Sequence, residues 1–76
     1  MEKFNDKEAL KKFGANLRQI RNSKGMKLED VSAHSGIDTS DIGKIERGEI
    51  NIAFSTLCKL AIGLDIRLSK LVDFDF

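Results

Sequence analysis

The chain has 76 residues, of which 41% are hydrophobic and 33% charged, with no proline and a net charge of +1 that divides into +5 over residues 1–27 and −4 over residues 28–76. This composition excludes a disordered chain, and the length predicts one small helical domain, residues 1–76. The lone cysteine cannot form an internal disulfide, no signal-peptide pattern is present, and no apolar run approaches the ~20 residues of a membrane span, so we expect a cytoplasmic protein with no membrane partner.

The first predicted helix runs from about residue 6 to 24, after a lead-in of residues 1–5. Asn5 and Glu8 form a capping-box pattern at its start, and Gly25 is placed to supply the left-handed residue that stops it. The apolar residues that recur at helical spacing are Leu10, Phe13, Leu17 and Ile20. The other face carries Lys7, Lys11, Arg18 and Gln19, which face either solvent or a partner.

Two short helices with a very short link follow. Helix 2 is predicted from Leu28 to about Ser35, with no capping side chain because Lys27 occupies the N-cap position. Only Gly36-Ile37 separates it from helix 3, predicted from about Thr39 to Arg47. Because this link is too short for two antiparallel helices, the pattern predicts a helix-turn-helix whose helices meet at roughly 90–120°.

Helix 3 has an unusually narrow apolar side. Asp38 is placed to cap it, Asp41 to reach back toward the cap, and Gly48 to end it. Ile42 and Ile45 fall on one side. The opposite side carries Ser40, Gly43, Lys44 and Arg47, which are small, hydrogen-bonding or cationic. We therefore expect this helix to enter a groove in another molecule.

The last third of the chain is rich in apolar residues. Helix 4 is predicted from about Phe54 to Gly63 and helix 5 from about Leu68 to Val72, with a break near Asp65 and a tail of residues 73–76. Apolar residues in excess of what so small a core can enclose are Ile50, Ile62, Ile66, Phe74 and Phe76. We expect a homodimer that uses residues of this set as its interface.

Five segments form a pattern that is specific only in combination: FGANLRQIR at 13–21, KG at 24–25, SGI at 35–37, IGKIERGE at 42–49 and LCKLA at 57–61. Over about residues 13–72 the chain resembles the phage repressor and Cro-type helix-turn-helix regulators, which include xenobiotic-response-element regulators and restriction-modification controller proteins. The resemblance implies an all-α, compact five-helix bundle, the lambda-repressor-like DNA-binding domain, with helix 3 in the major groove.

The resemblance also implies roles for particular residues. Base-edge contacts are implied for Thr39, Ser40 and Lys44, beside which Gly43 allows close backbone approach; the alternative for Thr39 and Ser40 is helix-start chemistry alone. Phosphate contacts are implied for Lys27, Leu28, Arg47 and Asn51, the first two through free amides at the start of helix 2. Arg21 and Glu46 match a structural ion pair. Departures that lower the expected affinity are Leu28, Asp38, Asp41, Ala53 and the near-neutral charge.

The predicted function is sequence-specific binding of double-stranded DNA by a homodimeric transcription regulator without a cofactor, on two half-sites about 34 Å apart. Catalysis is not expected, since His34 and Cys58 offer one histidine and one cysteine without partners, and this pair cannot hold a structural zinc ion. The alternative is an antitoxin-like or scaffolding module that uses the same fold to bind a protein partner.

Overall fold

The protein is all-helical over residues 4–75, which are the residues that the structure, a computed structural model, describes. Its five helices are α1 (Asp6–Ser23), α2 (Leu28–Ser35), α3 (Thr39–Glu46), α4 (Phe54–Leu64) and α5 (Leu68–Leu71). The predicted fold class is confirmed, and each predicted helix is present with ends that differ by at most one residue. None of the described helices is long and apolar enough to cross a membrane.

The helix ends follow from local chemistry. The side-chain oxygen of Asn5 accepts a hydrogen bond from the Glu8 amide at 3.0 Å, which caps α1 as predicted. Gly36 ends α2 at a φ of 78°, a left-handed backbone conformation that residues other than glycine adopt only at a cost in free energy. Asp65 supplies the same conformation after α4 without a glycine, at a φ of 54°.

The start of α3 differs from the prediction. Asp38 precedes the helix, but its side chain makes no capping hydrogen bond to the α3 backbone. Its carboxylate instead lies 3.5 Å from the Ser40 hydroxyl, which donates toward it. The prediction of an Asp38 cap is therefore wrong, because the carboxylate turns to a nearby side chain and accepts no hydrogen bond from the first amides of α3.

One hydrophobic core joins the helices. α2 packs against α3 and α4, α1 packs against α3 and α5, and α4 packs against α5. The buried apolar residues are Phe13, Leu17, Val31, Ile42, Ile45, Leu60, Ala61, Leu64 and Leu71. The Asn16 side chain donates a hydrogen bond of 2.8 Å to the Leu71 carbonyl and so fixes α5 to α1.

Two glycines allow the backbone of α1 to lie in direct contact with the backbone at the end of α3. A methyl group on Gly14 would overlap the backbone carbonyls of Ile45 and Glu46. A methyl group on Gly48 would lie 2.7 Å from the Lys11 Cα. Since atoms cannot approach that closely, larger residues at either position would push α3 away from α1. The orientation of α3 therefore depends on these two glycines.

Candidate nucleic-acid interface

One side of α3 is buried and the other is open to solvent. Ile42 and Ile45 are almost wholly buried between α3 and the rest of the bundle. Ser40 and Lys44 on α3 are exposed, and so is Arg47 at its C-cap; spacings of four and three residues put the three on one face. The predicted division of α3 into an apolar and a polar side is confirmed.

Each predicted base-reading residue lies on or beside this open side. Lys44 is exposed, and no ion pair or hydrogen bond of its side chain occurs within residues 4–75. Ser40 is exposed, while Thr39 is half-buried at the first position of the helix. Thus Lys44 is available to a ligand, the exposed Ser40 hydroxyl is available once it leaves Asp38, and Thr39 offers only part of its surface.

Gly43 is covered, which differs from the open backbone expected there. The residue is buried although it lies on the outer side of α3. The atoms nearest to a methyl group at this position all belong to Arg47, with Nη1 at 3.1 Å. On the side where a Cβ would lie, Gly43 is therefore covered by a flexible side chain that can move.

Arg47 is held in this position by Glu49. The Arg47 Nε donates to the Glu49 Oε2 at 2.5 Å, and Nη2 lies 3.5 Å from Oε1. Both side chains remain about half exposed, at 59% and 49%. The hydrogen bond from Arg47 lowers the pKa of Glu49 below its ordinary value, and the same bond raises the pKa of Arg47. Both groups are thus charged near neutral pH.

The other predicted phosphate-binding positions are arranged less simply. The Lys27 amide, expected to be free, donates a 2.8 Å hydrogen bond to the Asp30 carboxylate. The prediction of a free Lys27 amide is therefore wrong: Asp30 compensates for the missing cap and occupies this donor. Leu28 is half-buried and packs against the core. Asn51 is exposed, and its side-chain oxygen accepts from the Ile52 amide at 2.9 Å.

Arg21 and Glu46 form a two-point ion pair that joins α1 to the end of α3. The Arg21 Nε donates to Oε2 at 2.6 Å and Nη2 donates to Oε1 at 3.0 Å. The two side chains are only 12% and 6% exposed. A third donor, Nη1, binds the Met26 carbonyl at 3.0 Å. Arg21 therefore contacts both the loop after α1 and the end of α3, and its hydrogen bond to Glu46 raises the pKa of Arg21.

The predicted surplus of apolar residues is smaller in the structure. Ile50, Ile66 and Phe74 are partly buried against the core of their own chain, with the Phe74 ring 6.3 Å from that of Phe13. Ile62 is 69% exposed. Phe76, also in the predicted set, lies outside the described residues. The exposed large apolar residues that the sequence prediction missed are Phe4, Phe54 and Val72.

The profile of the helix-turn-helix family HTH_3 matches residues 17–71, more than half of the chain. The chain belongs to this helix-turn-helix family. The resemblance to xenobiotic-response-element regulators and controller proteins is thereby confirmed.

Similar proteins include controller proteins and a transcriptional regulator. The restriction-modification controller protein C.AhdI from Aeromonas hydrophila is 41% identical, with a TM-score of 0.81 over 84% of this chain and 97% of that chain. Control protein C.SmaI from Serratia marcescens is 37% identical over 57 residues, which are 75% of this chain and 68% of that protein. The HTH-type transcriptional regulator SutR from Escherichia coli K12 is 32% identical over 56 residues, 74% of this chain, and the chain spans 32% of its length.

In this helix-turn-helix protein, the ion pair between Arg47 and Glu49 was not predicted from the sequence. The sequence Arg47-Gly48-Glu49 nevertheless contains a signal for this contact. Opposite charges flank a glycine that ends a helix, and the left-handed Gly48, at a φ of 72°, brings the two side chains together. The short spacing alone did not reveal this turn geometry.

Proposed function

We propose that this helix-turn-helix protein is a sequence-specific, double-stranded DNA-binding regulator of transcription, with α3 lying in the major groove. The observation that carries the proposal is the open side of α3, where Ser40, Lys44 and Arg47 face solvent while the opposite side is buried. The major groove is about 12 Å wide and admits one α-helix. Membership of a family whose named members include transcriptional regulators supports the same function.

The proposed base contacts come from the start and middle of α3. Lys44 donates to guanine O6 and N7, while the hydroxyls of Ser40 and Thr39 donate or accept and so read bases less strictly. Gly43 lets the helix backbone approach the bases once Arg47 moves aside. Because Thr39 is half-buried, its contribution is the smallest of the three.

The proposed phosphate contacts fix the position of the helix in the groove. Arg47 and Asn51 follow α3 and are both exposed. At the start of α2, Lys27 contributes through its exposed ammonium group, since its amide is engaged, and Leu28 contributes through its backbone amide alone. Such contacts determine register and affinity but carry no direct sequence information.

We further propose a homodimer that binds two half-sites. A single α3 reads only a few base pairs, and each good bidentate contact discriminates by about 1–3 kcal/mol. Two copies on half-sites about 34 Å apart double the readout. The exposed Phe54 and Ile62 on α4 are the best available interface residues, with the less exposed Ile50, Ile66 and Phe74 at its edge. Occupancy of the site by the dimer would block or recruit the polymerase.

The second candidate is an antitoxin-like or scaffolding module that binds a protein. It is favoured by the same exposed Phe54 and Ile62, together with the net charge of −4 over residues 28–76. A segment with this net charge and these exposed apolar residues would suit a partner with a basic, partly apolar face.

A titration of labelled duplex DNA of random sequence at low and moderate salt separates the two candidates. Binding that weakens steeply with salt supports the DNA-binding function, because phosphate contacts release counterions. Absence of such binding favours the protein-binding module.

Selection from a random duplex pool then tests the division of labour on α3. Lys44→Ala should change the preferred bases, whereas Arg47→Ala should weaken all sequences alike and lower the salt slope by about 1. A uniform loss in both variants would contradict the assigned roles.

A further inference from the structure

The ion pair between Arg47 and Glu49 after α3 suggests how DNA binding by Arg47 is controlled. Resting on the proposed function, we propose that Glu49 acts as an internal substitute for a DNA phosphate, which holds the Arg47 guanidinium over Gly43 until a phosphate replaces its carboxylate. Glu49 then limits the affinity of the protein for DNA without touching the DNA itself.

The geometry of the pair matches that of a phosphate contact. Arg47 presents Nε and Nη2 to the two oxygens of the Glu49 carboxylate, at 2.5 and 3.5 Å. The same two donors form the fork that guanidinium groups use to bind two phosphate oxygens. A carboxylate and a phosphate therefore compete for one set of donors, and Arg47 cannot serve both through this fork.

Replacement of the Glu49 carboxylate by a phosphate also changes what covers Gly43. With the fork on Glu49, the Arg47 Nη1 lies against the outer side of Gly43. This is the point at which the proposed complex needs the closest approach between the α3 backbone and the bases. Release of Arg47 toward a phosphate thus frees a cation and uncovers the backbone in one movement.

Arg47 pairs with Glu49 and not with the nearby Glu46, because the Glu46 carboxylate is already bound by Arg21. Both oxygens of Glu46 are engaged by Arg21 and its side chain is 6% exposed. Glu49 is about half exposed, so its bond with Arg47 is screened by water and shifts an equilibrium by about fivefold at most. A pair of that strength yields readily to a phosphate that lies within a strongly negative duplex.

A double-mutant cycle on DNA affinity tests this proposal. Glu49→Gln is measured in the native background and in Arg47→Met, by fluorescence anisotropy on one duplex at fixed moderate salt. Loss of a negative charge near DNA strengthens binding in both backgrounds, whereas release of Arg47 operates only where Arg47 is present. The gain from Glu49→Gln should be at least about threefold larger in the native background. Thermal melting of each variant verifies that it is folded.

Asp41→Asn is the matched control. Asp41 is exposed on α3, makes no hydrogen bond with Arg47 within residues 4–75, and its replacement changes the net charge equally. Its gain in affinity should be the same in both backgrounds. Comparison with Glu49→Gln therefore separates release of the guanidinium from the general effect of charge.

The possible results are distinct. Equal gains from Glu49→Gln in both backgrounds would overturn the proposal, and so would weaker binding by Glu49→Gln, which would mean that Glu49 orients Arg47 productively. Failure of every folded variant and of the native protein to bind any duplex would refute the DNA-binding function and this inference with it. Binding without the expected coupling would refute the role of Glu49 alone.

Discussion

Replacement of Arg21 by alanine tests the account of how α3 is held in place. The change removes both hydrogen bonds to Glu46 and the one to the Met26 carbonyl. It also leaves the Glu46 carboxylate charged in a site where its side chain is only 6% exposed. The main cost therefore comes from a stranded charge and less from the lost attraction, because burial of an ion pair already costs both groups their hydration.

The size of the effect follows from this burial. Removal of one partner of a buried pair costs about 3–5 kcal/mol of unfolding free energy, and the lower end applies here because Arg21 retains 12% exposure. In a domain of this length, 1 kcal/mol corresponds to about 4–8 °C in melting temperature. Arg21→Ala should therefore melt about 12–24 °C below the native protein.

Thermal unfolding monitored by circular dichroism measures this difference, with Lys11→Ala as the control. Lys11 is on the same helix, is exposed, and takes part in no ion pair within the described residues. Its loss should lower the melting temperature by only a few degrees, since surface substitutions change stability by about 0.5 kcal/mol or less. Equal melting temperatures for the two variants would refute the reasoning.

A double variant separates the stranded charge from the lost contacts. Addition of Glu46→Gln to Arg21→Ala removes the unpaired carboxylate but restores no hydrogen bond. The double variant should therefore melt above Arg21→Ala alone. If the second change lowers the melting temperature further, the penalty of a stranded charge is not the cause.

Three other predictions concern packing, titration and assembly. Gly14→Ala should lower the unfolding free energy by about 1–3 kcal/mol, because the added methyl group overlaps α3. Gly43→Ala should leave the unfolding free energy unchanged or higher, since only the movable guanidinium of Arg47 is in the way. Equal losses of the two variants in urea denaturation would contradict this reasoning. The pKa of the Glu49 carboxylate, measured by NMR, should lie below the ordinary glutamate value and rise in Arg47→Ala. The stability that the pair contributes is then present at neutral pH and is lost as the pH falls through the lowered pKa. An unchanged pKa in Arg47→Ala would argue against the pair. Ile62→Glu should convert a dimer to a folded monomer in sedimentation velocity at micromolar concentration, and a purely monomeric native protein would contradict the proposed dimer.

Most of the fold could be predicted from the sequence because local signals agree with the tertiary packing. The 3.6-residue spacing of apolar side chains located the helices, and glycines located the ends of α1, α2 and α3. The open side of α3 could be predicted for the same reason, since Ile42 and Ile45 are the only large apolar residues near its centre.

Features that depend on side-chain rotamers, or on the direction of the backbone after a turn, could not be predicted. The sequence allowed Asp38 to cap α3, but its carboxylate is rotated toward the Ser40 hydroxyl and makes no capping hydrogen bond. Phe74 was counted as surplus because the sequence does not show that the tail after α5 returns to Phe13. The cover of Gly43 by Arg47 depends on the turn at Gly48, where a change of backbone direction sets which charges meet.

The central claim is that DNA completes the open side of α3, and a comparison of two charge reversals tests it most directly. Lys44→Glu and Lys70→Glu change the net charge equally at exposed positions, one on α3 and the other on α5, which packs on α1 and α4. In anisotropy titrations of one duplex at moderate salt, Lys44→Glu should abolish binding, whereas Lys70→Glu should weaken it only slightly. Equal losses of affinity in the two folded variants would contradict the claim.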